Sequence, residues 1–253
     1  MRVLTQVELE TFRRKGYVTL RGVFGLNEVT GWAQECKRLL ASGVAHENNL
    51  RTYPYYISET MWLVDRMDPV VDISDVFKKL SNDERLLGLV RQIFDDDALL
   101  FKDRLIYKML GVRGYQIHQD YSWWQEFPED LVNVTIAIDG ADADNGALEL
   151  FPYHHNLLST PGEMRHMNDV EAQQIDFSSG ELMITEPGDV VIFHCMTPHR
   201  SGPNLSNRLR RQLYLTYSAA RHGDLYQRQI ELMKEGKSSR QIDENRKTQL
   251  FLR

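Results

Sequence analysis

The segment YQIHQDYSWW, residues 115–124, contains a His-x-Asp pair on which the interpretation of the whole chain depends. On a strand, residues i and i+2 point to the same side, so His118 and Asp120 can reach one metal ion while the residue between them points away. Two histidines and one carboxylate form a facial triad, which holds Fe(II) and leaves positions open for oxygen and a co-substrate. The missing histidine must come from another strand, and His199, far downstream in TPHRSGPN, is the candidate.

Short apolar runs around this segment predict a β-rich core. Turn sequences such as Asp144-Asn145-Gly146 and Pro187-Gly188-Asp189 separate the runs. The predicted strands cover 99–101, 104–108, 114–118, 132–138, 147–151, 190–194 and 212–217. Several short strands with such turns are typical of a β-sandwich or barrel. The polar stretch 159–181 is expected to be a surface insertion beside the barrel mouth.

The first part of the chain has helical periodicity instead. Thr5 and Glu8 have the spacing of a capping box, and further helices are predicted from Asn27 and over 83–95. A short strand at 17–20 separates the first two helices. We therefore expect one domain over 1–253, with a mainly helical part at 1–98, a β-barrel core at 99–222 and a C-terminal helical tail at 223–253.

Composition and charge exclude several classes of protein. The chain has 253 residues, 42% of them hydrophobic and 26% charged, as expected of a globular domain. A net charge of −6 argues against partners such as nucleic acids or anionic membranes. No apolar run is long enough to predict a membrane span or a signal peptide. Two isolated cysteines favour a cytoplasmic location, and Cys195 is interpreted as a buried small hydrophobe rather than a soft metal ligand.

Five segments of the chain are similar, in the same order, to those of one known family. They are FRRKGYVTLRGVF (12–24), LIYKMLGVRGYQIHQDYSWW (105–124), IAIDGADADNGALELFP (136–152), EPGDVVIFHCMTPHRSGPN (186–204) and RLRRQLYLTY (208–217). This pattern resembles the phytanoyl-CoA dioxygenase family of Fe(II)- and 2-oxoglutarate-dependent oxygenases. The resemblance implies a mostly β fold with flanking helices, built on a double-stranded β-helix (a jelly-roll, cupin-like core) packed by N-terminal helices.

The resemblance also assigns roles to residues. It implies that His118, Asp120 and His199 bind the iron, and that Arg210 binds the distal carboxylate of 2-oxoglutarate. A guanidinium suits that task because it makes two parallel hydrogen bonds to a carboxylate. Two other arginines compete for the role: Arg208 shares the strand face of Arg210, whereas Arg211 is expected on the opposite face.

Three further side chains are candidates for the co-substrate pocket. Lys108 lies on the strand before the His-x-Asp pair, where the family often has a lysine. If it faces the barrel interior it should hold an anion, because a buried lysine is costly unless paired; the alternative is a charge at the barrel rim. Thr135 and Asn133 share one face of a later strand, and either could hydrogen-bond the co-substrate.

The implied activity is hydroxylation of an unactivated C–H bond with O2, while 2-oxoglutarate is decarboxylated to succinate and CO2. The residues considered for substrate binding are Tyr121, Trp123, Trp124, Arg113 and Tyr55. An aromatic wall with basic residues suits a small zwitterion, such as an amino acid or an aminoalkylphosphonate. Core or lid packing is the alternative for each of the aromatic residues.

Other functions remain open at this point. An acyl-CoA or a natural-product scaffold could be the substrate, and the barrel could bind a ligand without catalysis. A cupin-type metalloenzyme that needs no 2-oxoglutarate would leave Arg210 without a role. The loop-like segments 45–65 and 155–182 are positioned to act as lids. The oligomeric state is expected to be monomer or homodimer.

Overall fold

The computed structural model describes residues 3–45, 51–58 and 61–241, with side chains up to residue 235. The strands are β1 Tyr17–Leu20, β2 Thr52–Tyr56, β3 Trp62–Met67, β4 Ala98–Lys108, β5 Tyr115–His118, β6 Val132–Ala137, β7 Leu148–Leu150, β8 Glu181–Leu182, β9 Val190–His194, β10 His199–Ser201 and β11 Arg210–Ala219. The helices are α1 Gln6–Lys15, α2 Leu26–Ala41, α3 Asp75–Ser81, α4 Glu84–Phe94, α5 Asp169–Ala172 and α6 Tyr226–Gln241. None of these helices is long and apolar enough to cross a bilayer.

The strands form two antiparallel sheets, in agreement with the predicted jelly-roll core. The larger sheet has the order β1-β9-β6-β11-β4-β3-β2, and the smaller has the order β5-β10-β7-β8. Strands distant in sequence are therefore neighbours, as β11 is of both β4 and β6. This topology brings β5 and β10, which carry the two histidines of the predicted triad, side by side.

The alternation of side chains gives the larger sheet two different faces. Leu213 and Leu215 of β11 belong to the apolar cluster that includes the core residues of α2 and α4. Tyr214, between them, belongs to a smaller cluster between the two sheets. Tyr107 on the outer face donates a 3.1 Å hydrogen bond to the carbonyl of Cys36 in α2. The helices are thus fixed to the outer face, and the inner face is left for the site.

The predicted boundaries of the helices agree closely with the structure. Thr5 caps α1 through its hydroxyl, which accepts from the Glu8 amide at 3.2 Å, and the Glu8 carboxylate accepts from the Thr5 amide at 2.8 Å. This is the predicted capping box. The helix predicted over 83–95 is α4, and the strand predicted at 17–20 is β1. Helix α3 was not predicted.

The assignment of residues around Tyr53 and Tyr55 to a loop was wrong. They lie on β2, which forms a hairpin with β3, and β3 extends the larger sheet by pairing with β4. Pro54 and the irregular register beside it hide the strand pattern in the sequence. Of the predicted lid 45–65, residues 46–50 and 59–60 lie outside the described residues, as do residues 242–253 of the predicted tail.

The segment 159–181 is more than the polar surface insertion that we expected. It contains the short helix α5, and Met167 and Ile175 are buried against Phe151 of the barrel. Phe177 adds a ring contact with Phe151 at 5.2 Å, but apolar side chains are few in the segment, so its composition alone did not reveal the contact. The segment therefore covers one end of the smaller sheet, where the site lies.

Candidate active site

The two sheets bring the predicted triad together. His118 is the last residue of β5 and His199 the first of β10, and they are directly paired across these strands. Asp120 begins a short 3-10 turn just beyond the strand rather than continuing it. Because Gln119 is extended, with φ −114 and ψ 129, Asp120 still returns to the side of His118. The ligand atoms of the three residues all lie within 4.8 Å of one another.

Backbone carbonyls fix which ring nitrogen of each histidine is available. Nδ1 of His118 lies 2.7 Å from the carbonyl of Gln116, and Nδ1 of His199 lies 2.9 Å from that of Thr197. A carbonyl only accepts, so each Nδ1 carries the proton and each Nε2 keeps its lone pair. Burial lowers the pKa of both rings, which keeps them neutral as metal ligation requires.

Asp120 is held by two donors from the larger sheet. Arg104 Nη2 lies 2.7 Å from its Oδ2, and Asn133 Nδ2 lies 3.1 Å from the same oxygen. Burial alone would raise the pKa of Asp120, but the Arg104 charge beside it holds the pKa well below its ordinary value. The carboxylate is therefore ionised, and the donor set fits a divalent iron.

Arg210 lies fully buried on the inner face, in register with Lys108 across β4 and β11. Its Nη1 donates to the Gln212 side chain, and its buried Nε has no hydrogen-bond partner among the described residues. The two competing arginines are engaged elsewhere. Arg208 is exposed and pairs with Asp142 at 2.6 Å, and Arg211 reaches Asp139 at 2.8 Å. The predicted opposite face of Arg211 is thus confirmed, whereas Arg208 lies before β11 and does not share the buried face of Arg210.

Lys108 is also completely buried and faces the barrel interior, so the alternative of a rim charge was wrong. Its Nζ donates to Ser201 Oγ at 2.8 Å and to the carbonyls of Gly202 at 2.5 Å and Gly146 at 3.3 Å. All three partners are neutral. Burial and the neighbouring Arg210 charge lower the pKa of Lys108 to about 6. Arg210 and Lys108, neither of them paired with a carboxylate among the described residues, thus form a pocket suited to an anion.

The comparison with known families decides the class of the protein. The phytanoyl-CoA dioxygenase (PhyH) family model matches residues 12–212, which is most of the chain. The chain belongs to the phytanoyl-CoA dioxygenase family. It is an Fe(II)- and 2-oxoglutarate-dependent dioxygenase, as the resemblance in the sequence predicted, with O2 as the second co-substrate.

Three relatives act on small phosphorus compounds. A probable alpha-ketoglutarate-dependent hypophosphite dioxygenase of Stutzerimonas stutzeri is 29% identical, covering 81% of this chain and 76% of its own. A methylphosphonate hydroxylase of Gimesia maris is 25% identical, covering 88% and 84%. A 2-aminoethylphosphonate dioxygenase of an uncultured bacterium is 25% identical, covering 88% and 85%.

A solved structure supports the fold. The EctD protein of S. alaskensis, crystallised with 2-oxoglutarate and 5-hydroxyectoine, superposes with a TM-score of 0.74 at 21% identity. The alignment covers 87% of this chain and 77% of EctD. This similarity confirms the double-stranded β-helix.

The aromatic residues after Asp120 separate into two groups in this dioxygenase. Trp123 lies against the metal-binding face, with its ring 5.5 Å from that of His118. Tyr121 and Trp124 point away into an apolar cluster, where the Tyr121 hydroxyl donates to the Phe127 carbonyl at 2.8 Å. Their assignment to the substrate pocket was wrong, because the 3-10 turn rotates successive side chains away from the metal side.

The remaining predicted residues occupy different positions. Thr135 is buried on the inner face, and its hydroxyl donates to the Val191 carbonyl at 3.4 Å. Arg113 is exposed and lies over the ring of Tyr55, 6.0 Å from its centre. Cys195 is buried and its thiol contacts the Glu129 carbonyl at 3.2 Å, which confirms that it packs as a small side chain.

Two residues near the metal ligands were missed. His166, in the segment taken for a surface insertion, lies 5.2 Å from the ring of His118 and 5.1 Å from that of Trp123. Arg66, on the unpredicted strand β3, is paired in register with Ile106 of β4. The only signal in the sequence was a histidine within a polar stretch, and such a residue is usually interpreted as a solvated loop residue.

Proposed function

We propose that His118, Asp120 and His199 bind Fe(II), and that Arg210 and Lys108 bind the distal carboxylate of 2-oxoglutarate. One observation carries the proposal: the inner face of a single barrel combines a neutral His pair and an ionised carboxylate with a buried arginine and a buried lysine, neither of which has an acidic partner among the described residues. A barrel that only binds a ligand would not need both the metal-binding residues and the buried pair of Arg210 and Lys108. A cupin-type enzyme that does not use 2-oxoglutarate would not need Arg210.

The bound iron supplies activation of oxygen, coupled to decarboxylation of 2-oxoglutarate to succinate and CO2 and to hydroxylation of a C–H bond. The protein positions the reactants for this chemistry. Arg104 and Asn133 orient Asp120, and the carbonyls of Gln116 and Thr197 orient the two imidazoles. These partners hold the ligand atoms in place before the metal arrives.

Arg210 and Lys108 fix the far end of the co-substrate. Their side chains lie on neighbouring strands in direct register, so one carboxylate can accept from both. Ser201, on the strand that begins with His199, already bonds Lys108 and links the co-substrate pocket to the metal ligands.

The substrate is proposed to be a small polar metabolite, with an aminoalkylphosphonate as the first choice and an amino-acid-like zwitterion as the second. The activities of the relatives named above support this choice, as does the aromatic ring of Trp123 beside His118. An acyl-CoA or a natural-product scaffold is the alternative.

Succinate formation tests the proposal. Purified protein with Fe(II), ascorbate, O2 and 2-oxoglutarate is given 2-aminoethylphosphonate, methylphosphonate, amino acids and acyl-CoAs in turn. We expect a phosphonate to stimulate succinate formation, and the stimulation to disappear in His118→Ala. Stimulation by an acyl-CoA alone would contradict the proposed substrate class.

A further inference from the structure

A second group of nitrogen donors, two guanidiniums and one imidazole, lies beside the metal ligands, apart from Lys108 and Arg210. It consists of Arg66 on β3, His166 in the segment before α5 and Arg113 just before β5. The His166 ring contacts that of His118 at 5.2 Å. Arg66 and Arg113 lie over the rings of Tyr53 and Tyr55, which are two residues apart on β2.

The Nε of Arg66 has hydrogen-bonding capacity that the described residues leave unused. The guanidinium lies 4.0 Å from the centre of the Tyr53 ring, and its buried Nε has no hydrogen-bond partner in the described part of the chain. Among the described residues it forms no ion pair within 4.0 Å. The carboxylate of the adjacent Asp65 instead accepts from the Tyr115 hydroxyl at 2.6 Å. A buried N–H without an acceptor is costly, so Arg66 is suited to bind an acceptor from outside the chain.

Other cations on the same face of the sheet are already paired. Lys102 bonds Asp68 at 2.7 Å, and Arg104 bonds Asp120 at 2.7 Å. Both side chains bind carboxylates of the protein, so neither can bind a ligand without breaking its ion pair. Arg66 and Arg113 are stacked on tyrosine rings instead. Stacking orients a guanidinium without consuming its hydrogen-bond donors.

Tyr115 separates this group from the co-substrate pocket. Lys108 Nζ faces the Tyr115 ring, 5.7 Å from its centre, whereas the hydroxyl at the other end of the ring lies with Asp65 and Arg66. The site therefore has two distinct cationic regions, one on each side of Tyr115. The proposed function places the distal carboxylate of 2-oxoglutarate in the region beside Lys108 and Arg210.

We propose that Arg66, assisted by His166 and Arg113, binds an oxyanion of the substrate and so selects small anionic molecules. This inference rests on the proposed function, because it assigns the region beside Lys108 and Arg210 to 2-oxoglutarate. Phosphonate and carboxylate groups share the chemistry that the three donors recognise. Two guanidiniums and one imidazole offer enough N–H donors for all the oxygens of a phosphonate, so we expect it to bind more tightly than a carboxylate.

Binding of simple anions tests the inference without turnover. Methylphosphonate and acetate are titrated calorimetrically, without oxygen, into protein loaded with Fe(II) and 2-oxoglutarate. In Arg66→Gln we expect methylphosphonate affinity to fall roughly 10- to 100-fold, with 2-oxoglutarate affinity unchanged. Arg228→Gln is the matched control, because Arg228 also stacks on an aromatic ring, Phe127, at 5.2 Å but lies on α6 with its side chain 58% exposed. Arg113→Gln changes an exposed residue, so folding should tolerate it, and we expect it to weaken methylphosphonate severalfold.

The outcomes separate the two proposals. Equal methylphosphonate affinity in wild type, Arg66→Gln and Arg113→Gln would overturn the role of these arginines. Wild-type protein that binds 2-oxoglutarate but neither anion would also overturn it, while leaving the proposed function intact. Wild-type protein that binds neither Fe(II) nor 2-oxoglutarate would overturn the proposed function itself, and this inference with it. A higher affinity for acetate than for methylphosphonate would contradict the expectation that a phosphonate binds more tightly than a carboxylate.

Discussion

Arg104 Nη2 lies 2.7 Å from Oδ2 of Asp120, so a cation of the larger sheet holds the metal-binding carboxylate from behind. Asn133 donates to the same oxygen at 3.1 Å, whereas Oδ1 faces His118 Nε2 at 3.7 Å. With Oδ2 occupied by two donors, Oδ1 is the oxygen available to iron. Partners of this kind orient a ligand and tune its affinity for the metal.

Arg104→Gln should weaken iron binding. Losing the charge that fixes Asp120 is expected to raise the Fe(II) dissociation constant roughly 10- to 100-fold. Equilibrium titration under anaerobic conditions measures this constant. Arg200→Gln is the control, because Arg200 follows His199 directly but pairs with Glu149 at 2.5 Å on the smaller sheet. Unchanged affinity in Arg104→Gln would show that Asp120 does not depend on this contact.

Arg210→Gln should weaken binding of 2-oxoglutarate and leave iron in place. The change removes a buried guanidinium that has no acidic partner in the described part of the chain, so we expect the KM for 2-oxoglutarate to rise roughly 10- to 100-fold. The steady-state rate of succinate formation at varied 2-oxoglutarate gives the KM. Arg208→Gln removes the neighbouring exposed arginine and should have no effect; an equal rise in both variants would refute the assignment.

Lys108 should make 2-oxoglutarate binding depend on pH. Its pKa is about 6 in the free protein, far below the ordinary value, and a bound carboxylate raises it again. Below pH 6 Lys108 already carries its proton before 2-oxoglutarate binds. Above pH 6 the Lys108 amine takes up a proton on binding, so the affinity for 2-oxoglutarate falls as pH rises. Calorimetry near neutral pH in buffers of different ionisation enthalpy should detect this uptake. In Lys108→Met we expect weaker binding and no uptake, and persistent uptake would point to another group.

Gly146→Ala should damage the co-substrate pocket. Gly146 has φ 76, and a Cβ there would lie 2.4 Å from the Gly202 carbonyl oxygen and 2.9 Å from Lys108 Nζ. Gly162 has the same φ but no heavy atom within 4 Å of such a Cβ. Gly162→Ala should therefore lower the free energy of unfolding by only about 1–2 kcal/mol, the cost of the backbone conformation. In urea titrations Gly146→Ala should lose more free energy of unfolding than Gly162→Ala, and it should also bind 2-oxoglutarate less tightly. Equal losses of unfolding free energy in the two variants would contradict the steric argument.

The sequence predicted best those features that depend on strand alternation and chain order. The i and i+2 rule placed His118 and Asp120 on one side, although Asp120 lies beyond the strand. The same rule separated Arg210 on the inner face from Arg211, which pairs with Asp139 outside it. Both results are local consequences of backbone geometry, and they do not require knowledge of distant contacts.

Contacts that depend on loops and edge strands could not be predicted. Arg66 reaches the site because β3 pairs with β4 and extends the larger sheet. The sequence around Arg66 does not predict that pairing. His166 is held by a segment with few buried apolar residues. Tyr121 and Trp124 were misassigned because a 3-10 turn, and not a strand, follows Asp120. In each case the tertiary structure, and not local preference, decides where the side chain points.

Iron-dependent succinate formation by wild type and by three single variants tests the central claim most directly. The variants are His118→Ala, Asp120→Ala and His199→Ala, with His154→Ala as a control outside the ligand cluster. We measure bound Fe(II) per chain and succinate released from 2-oxoglutarate in each protein. Stoichiometric iron and succinate in wild type and the control, with both lost in the three variants, is the predicted result. Wild-type iron content and succinate in any of the three would contradict the assignment of the metal site.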